Sequence, residues 1–179
     1  GVPQVGILPS YFSDSGASLT LMLPESLSLG VKHIVTPKLE IMADYTWTRW
    51  SRYDATVVDF DNNLPLSSEI SNWKDSNRYA IGMNYSMRDN LQLRGGLTYD
   101  QTPIPDAEHR TPRVPDTDKM SVGLGGKVGL SDNMALDLAL FYTLPADSDI
   151  DNIDNFDNTL KGNFETQTTY VSMQLSWKL

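Results

Sequence analysis

The stretch Arg78 to Asp100, RYAIGMNYSMRDNLQLRGGLTYD, decides the fold. Tyr79, Ile81, Met83, Tyr85 and Met87 alternate with Ala80, Gly82, Asn84 and Ser86. After Arg88-Asp89-Asn90 the alternation resumes, with Leu91, Leu93, Leu97 and Tyr99 set against Gln92, Arg94, Gly96, Thr98 and Asp100. Successive side chains of a strand point to opposite faces, so this pattern predicts a hairpin with one apolar and one polar face. Each arm has roughly 10 residues, the length a tilted strand needs to cross the hydrocarbon of a bilayer. The apolar face carries its aromatic residues towards the ends, as a lipid-facing girdle does.

The same unit recurs on both sides. Upstream, Leu21, Leu23, Leu27, Leu29 and Val31 share one register of an extended segment between Ser18 and Val35, interrupted at Pro24. Thr36-Pro37-Lys38 then turns the chain into Leu39, Ile41, Ala43, Tyr45 and Trp47, with Glu40, Asp44, Thr46 and Thr48 opposite. Downstream, Met120, Val122, Leu124, Val128 and Leu130 make a further apolar face. Ser131-Asp132-Asn133 turns into Met134, Leu136, Leu138, Leu140 and Tyr142. The last strand closes on Val171, Met173, Leu175, Trp177 and Leu179, an aromatic-x-apolar ending of the kind outer-membrane proteins carry as an assembly signal.

Three-residue turns alternate with connections of roughly fifteen to twenty residues, the asymmetry of outer-membrane barrels with short periplasmic turns and long external loops. Tyr53 to Asn72 reads as a polar excursion in which Val57, Val58 and Phe60 continue a strand past the membrane. Gln101 to Lys119, with four prolines, reads as irregular, and Pro145 to Thr159 as an acidic loop. The expected fold is all-β: an antiparallel transmembrane barrel of outer-membrane type, of which seven strands are visible. Residues 1–17 are expected to form an external loop or the approach to the barrel, and residues 18–179 its C-terminal portion.

Composition agrees. The 179 residues carry a net charge of -9 and no cysteine. No run of 18 apolar residues exists, which excludes a spanning helix. A barrel still gives an average hydrophobic content of 40%, because only alternate residues face lipid. The acidic balance argues against a nucleic-acid partner. Gly1-Val2-Pro3-Gln4 has neither the basic start nor the apolar core of a leader, as expected of a mature chain or a fragment.

From about Gly16 onward the chain resembles the C-terminal half of the FadL family of outer-membrane long-chain fatty-acid transporters. The resemblance lies in LTLMLPESLSLGV (19–31), DYTWTRWSRY (44–53), NWKDSNRYAIGMNY (72–85) and LRGGLTYDQTPIPDAEHRTPRVPDTDK (93–119). It also lies in the terminal LKGNFETQTTYVSMQLSWKL (160–179). The resemblance implies a fourteen-stranded barrel, of which seven strands are half. It further implies capture of a hydrophobic ligand at the external loops, binding in an apolar lumen pocket, and lateral release into the membrane. An open sheet edge cannot face lipid. The edges are therefore expected to pair with a missing N-terminal half or with a second copy of the chain. Outer-membrane lipid and lipopolysaccharide are the expected surroundings.

The fatty-acid reading needs apolar contacts for a tail and cations for a carboxylate. Among inward positions, Met42, Trp50 and Phe141 are candidates for the tail, and Arg78, Arg94 and Lys127 for the head group. The competing reading is that these cations pair with Glu40, Asp44, Asp100 and Asp137 and simply neutralise the lumen. Trp50 reads equally well as an interfacial anchor. No cofactor and no metal is expected: the acidic stretch from Asp147 to Asp157 lacks the glycine and terminal glutamate of an EF-hand loop. GLGGKVG (123–129) lacks the Ser/Thr of a phosphate loop and lies in a strand, where its glycines keep the lumen open or let strands curve. Nothing suggests an enzyme, since the two histidines, His33 and His109, have no plausible nucleophile at hand. The alternatives to a transporter are a structural or receptor-type barrel whose loops bind partners, and a soluble lipocalin-like binder.

Overall fold

A computed structural model describes residues 14–61, 67–154 and 157–178, with the backbone alone at 67–69. The strands are β1 (Ala17–Leu19), β2 (Ser26–Thr36), β3 (Leu39–Thr48), β4 (Ala55–Phe60), β5 (Ser67–Ile70), β6 (Ser76–Arg88), β7 (Leu91–Asp100), β8 (Lys119–Ser131), β9 (Met134–Ile153) and β10 (Thr159–Trp177). A 3-10 turn, Trp50–Arg52, follows β3. Seven strands form one antiparallel sheet in the order β10-β9-β8-β7-β6-β3-β2. Apart from the step from β3 to β6, neighbours in the sheet are neighbours in sequence.

The register explains why the alternation had to be so regular. Tyr45 pairs with Tyr79, Tyr79 with Tyr99 and Tyr99 with Met120. Ala43, Ile81, Leu97, Val122 and Tyr142 form the next row on the same face. A slip of one residue in any pair would turn a whole apolar row away from this face. The face is exposed: Leu29, Ile81, Leu97, Leu138 and Met173 all show large parts of their side chains. In water such a surface would be untenable; in hydrocarbon it is the stable arrangement. Tyr45, Tyr79 and Tyr99 mark one border, with the Tyr45 and Tyr79 rings 5.3 Å apart. The Tyr99 hydroxyl donates to Asp118 Oδ2 at 2.7 Å, just beyond the strand end.

At the short-turn end the loops are tighter than the sequence suggests. Pro37-Lys38, Asp89-Asn90 and Asp132-Asn133 are two-residue turns. Each incoming strand has a register shift just before its turn, at Ile34/Thr36, Ser86/Arg88 and Gly129/Ser131. The extra residues, Val35, Met87 and Leu130, are all exposed. Adjacent turns are stitched together by Ser86 N–H to Lys38 O (2.7 Å), Gly129 N–H to Asn90 O (2.8 Å) and Lys178 N–H to Asn133 O (2.9 Å).

The other end departs further from expectation. The stretch from Pro145 to Thr159 is not a loop: β9 runs on to Ile153 and β10 resumes at Thr159. Thr143 pairs with Thr168 and Ala146 with Thr166, so Leu144 and Pro145 oppose Gln167 in a bulge. Proline has no N–H for the ladder, and a bulge is where a sheet tolerates it. Nor does Tyr53 to Asn72 extend a spanning strand. Its β4 and β5 form a separate sheet with β1, in the order β1-β4-β5. The extended segment expected from Ser18 to Val35 is accordingly two strands in two sheets. Of the expected approach segment, residues 1–13 lie outside the described residues.

The buried core sits at this end. Ile104 and Ile150 are both 2% exposed, and Ser71, Ser76, Thr102, Arg110, Ser121, Thr143 and Ser148 are also buried. The proline-rich segment 101–118 lies across the top of the sheet, held by Lys74 N–H to Pro103 O (2.8 Å) and Asp151 N–H to Ala107 O (2.9 Å). Buried Arg110 donates through Nε to Asp116 O (3.0 Å) and through Nη1 to Asp149 O.

Candidate functional site in the lumenal wall

The polar face of the sheet is layered. Towards the long connections lie Arg78, Asp100 and Lys119, in register across β6, β7 and β8. Two layers further along lies a row of a different kind: Met42, Gly82, Gly96, Gly123 and Phe141, each paired with the next across five strands. Three adjacent strands thus present no side chain at one level. The result is an open trough of about 560 Å³, floored by the three glycines and flanked by Met42 and Phe141. Phe141 is backed by Tyr170 on β10, with ring centroids 6.3 Å apart. Beyond the trough the charges return. Arg94 Nη1 lies 3.0 Å from Asp137 Oδ1, and Arg94 also donates to Gln92 Oε1. Lys32, the register partner of Met42, stands at the β2 end of the trough row and lines the trough together with Asp44; it lies 3.2 Å from Glu40, which accepts a second bond from Asn84.

The trough therefore lies between charged layers. A mostly apolar lining with Lys32, Asp44 and Thr98 as its polar members suits a molecule that is mostly hydrocarbon. Five of the six sequence candidates fall on this face. Met42 and Phe141 bound the trough directly. Arg94 lies one pair below Gly96 and is tied to Asp137, so it is a neutralised cation. Lys127 is the register partner of both Gln92 and Asp137, and Arg78 of both Thr46 and Asp100. Among the described residues, neither Arg78 nor Lys127 joins an ion pair.

Trp50 does not join them. β3 ends at Thr48, and Trp50 lies in the 3-10 turn, where its ring meets Trp73 edge-on at 5.1 Å and Tyr53 at 6.3 Å. It packs among the long connections. The glycine row went unread as a site because it is scattered over three strands. Only the cross-strand register brings 82, 96 and 123 together.

The groups at the loop end hold structure. Glu25, ahead of β2, accepts from Arg49 (3.0 Å) and Arg52 (2.6 Å), which closes the connection after β3 onto the sheet. The Arg52 bond first, then its own backbone amide and Arg49, hold the Glu25 carboxyl down at about 2. Asp106 accepts from the His109 Nδ1 (2.8 Å) and from the amides of Glu108 and His109, each at 3.0 Å. The His109 bond chiefly holds that carboxyl below its usual range. His109 Nε2 meets Asn72 Nδ2 at 3.2 Å, which fastens segment 101–118 to the start of β6's approach. Among the described residues no cluster of acidic, histidine or cysteine side chains could hold a metal ion. Among the described residues, no helix is long and apolar enough to cross a membrane.

A strand wall with an apolar band outside, an aromatic border and a layered polar interior defines the class: this is part of an outer-membrane β-barrel. Residues 4–178 match the family described as outer membrane protein transport protein (OMPP1/FadL/TodX), and the chain belongs to that family. That family is one of transport proteins and not of enzymes. Outer membrane protein P1 of Haemophilus influenzae is 31% identical over 125 residues, 70% of this chain and 27% of that protein. The long-chain fatty acid transport protein of Escherichia coli (strain K12) is 27% identical over 139 residues, 75% of this chain and 31% of that protein. Among solved structures, a Pseudomonas aeruginosa FadL homologue superimposes with a TM-score of 0.80 at 25% identity, covering 90% of this chain and 37% of its own. The Pseudomonas putida toluene transporter TodX shares the fold at a TM-score of 0.67 and 21% identity, covering 91% and 37%. The chain thus spans well under half the length of the proteins it matches.

Proposed function

We propose that the chain forms the portion of a channel wall along which hydrophobic molecules, long-chain fatty acids among them, cross the bacterial outer membrane. The observation that carries this reading is the apolar trough between Met42 and Phe141 in a wall otherwise lined with charge. A water-filled pore has no use for such a surface, whereas a hydrocarbon tail gains roughly 25 cal/mol per Å² it removes from water there. The ligand is taken from the external loops, rests in the trough and leaves sideways into lipid, as in the family at large. For a fatty acid, Lys127 and Arg78 are the cations free to meet the carboxylate, and Arg94 is engaged by Asp137. Lipopolysaccharide surrounds the loop end. The two sheet edges, β2 and β10, pair with the remainder of the barrel.

Uptake of oleate by cells whose only hydrophobic channel is the complete barrel carrying this chain tests the reading. Replacing Phe141 with Asp puts a charge at the trough, and uptake is expected to fall at least about tenfold. Folding should persist, because lumenal substitutions are tolerated better than lipid-facing ones. Unchanged uptake in the F141D barrel would favour a receptor-type barrel that transports nothing through this wall. Lys127→Gln should slow oleate and leave a hydrocarbon without a head group unaffected.

A further inference from the structure

The three glycines of the trough floor are not equivalent. Among the described residues no glycine has a positive φ, so what these supply is the lack of a side chain. A Cβ on Gly96 would lie 3.1 Å from the Ile81 carbonyl oxygen and 3.6 Å from Gly82 Cα. A Cβ on Gly82 would lie 3.4 Å from the Gly95 carbonyl oxygen. At Gly96 the β6 backbone crowds a side chain, whereas at Gly82 a Cβ would already touch the β7 backbone and, at 3.9 Å, Met42 Cε. Gly123 differs. The only atom near its Cβ would be Phe141 Cδ2, at an ordinary 3.8 Å. No backbone stands in the way, so a larger residue fits the sheet there and would project over the trough floor towards the ring that bounds it.

We propose that Gly123 sets the girth of the molecule the trough admits. The two ends differ in the same sense. Phe141 is a rigid ring with Tyr170 behind it, so it cannot retreat far. Met42 is an unbranched thioether that adjusts to what it meets. Length is accommodated at the Met42 end, whereas breadth is fixed where Gly123 faces Phe141. With no side chain at 123 the trough accepts rings as well as straight chains; an isopropyl group there leaves room for a straight chain alone.

This inference rests on the trough being the ligand site, and the experiment separates the two. n-Decane and decalin carry the same number of carbons and no head group, but decalin is the broader. Retention of each by the purified barrel is measured by gas chromatography, and uptake of each by cells in parallel. The unaltered barrel is expected to retain both. Gly123→Val should lower decalin retention at least about tenfold relative to decane, with Gly123→Ala in between. Adding Phe141→Ala to Gly123→Val should restore decalin. Gly95→Ala, which removes a glycine from the lipid face of β7, should change neither and controls for lost strand glycine. Equal loss of both hydrocarbons, no loss of either, or an unaltered barrel that already rejects decalin overturns the proposal. Discriminating retention without uptake would overturn the transport reading and leave the role of Gly123 standing.

Discussion

Within one strand, β9 answers to two solvents. From Met134 to Thr143 its outward residues are Met134, Leu136, Leu138, Leu140 and Tyr142, facing lipid, and its inward residues include Asp137 and Thr143. Beyond the Pro145 bulge the assignment inverts. Ala146, Ser148 and Ile150 turn inward onto segment 101–118, with Ile150 2% exposed. Asp147, Asp149 and Asp151 turn outward, where Asp149 accepts from Asn163 (3.2 Å) and Asp151 meets Lys161 (2.6 Å). A single extra residue changes which parity faces in, at the level where hydrocarbon gives way to water. The band has no packed apolar core of its own, because its large apolar face is covered by lipid. The loop end must build its own core, and it does so from Ile104, Ile150 and the buried Arg110.

Removing Pro145 attacks that inversion most directly. Without the bulge, Asp149 and Asp151 would face the Ile104 core and Ile150 would face water. Burying unpaired carboxylates costs several kcal/mol each, so the loop-end core is expected to open, at a local cost of about 5 kcal/mol or more. The membrane band should survive, since its ladder does not depend on residues beyond Thr143. Hydrogen exchange reads both: the Asp151 amide, bonded to Ala107 O, should lose protection while that of Leu138 keeps it. Retained protection at Asp151 would show that the strand can re-form its bulge elsewhere.

The second test sharpens the difference between the two faces of the band. Met83 faces lipid and Ser86 the lumen. Met83→Arg or Leu138→Arg should cost about 2–4 kcal/mol near the midplane, and Ser86→Arg far less. Refolding titrations into lipid vesicles give the two numbers, and equal costs would place the register off by one.

The band was legible in the sequence because period-two alternation has one interpretation once the apolar side is too large for water. Its seven strands and their turns follow from that alternation and from Thr36-Pro37-Lys38, Arg88-Asp89-Asn90 and Ser131-Asp132-Asn133. The loop end was not, although Ala146-Asp147-Ser148-Asp149-Ile150-Asp151 alternates as strictly. There the apolar positions are few and small, and aspartate and proline suggest a loop, whereas a polar strand face turned to water was the arrangement formed. The pairing of Ala17–Leu19 with β4 joins residues some forty apart, and no local pattern announces it. For the site, inward parity puts Met42 and Phe141 in one row on the polar face of the sheet. The same rule does not reach Trp50, because the strand has already ended at Thr48. The cations could be placed but not paired, since the Arg94–Asp137 contact skips β8 and spans two ladders.

The smallest effect expected is at Glu25, which is outside the spanning band and ties the end of β3 to the start of β2. Its carboxyl is held at about 2 by Arg52 and Arg49, below the ordinary glutamate value of 4.5. A depressed carboxylate contributes its stabilisation fully above its unfolded pKa and loses it as pH falls towards the folded one. The tie is therefore complete above pH about 4.5, weakens between there and about 2, and is gone below. Exposed ion pairs contribute little, so this is a local effect on the connection after β3 and not on the barrel. The Tyr53 amide, bonded to Trp50 O at 2.8 Å, reports it. With intrinsic exchange rates divided out, its protection should hold steady down to pH about 4.5 and then decline, whereas in Glu25→Gln it should start lower and stay flat. A Glu25→Gln chain that keeps the same pH-dependent decline would assign it to another carboxylate, and Asp75, whose side chain accepts from the Ser51 amide at 3.0 Å, is the next to replace.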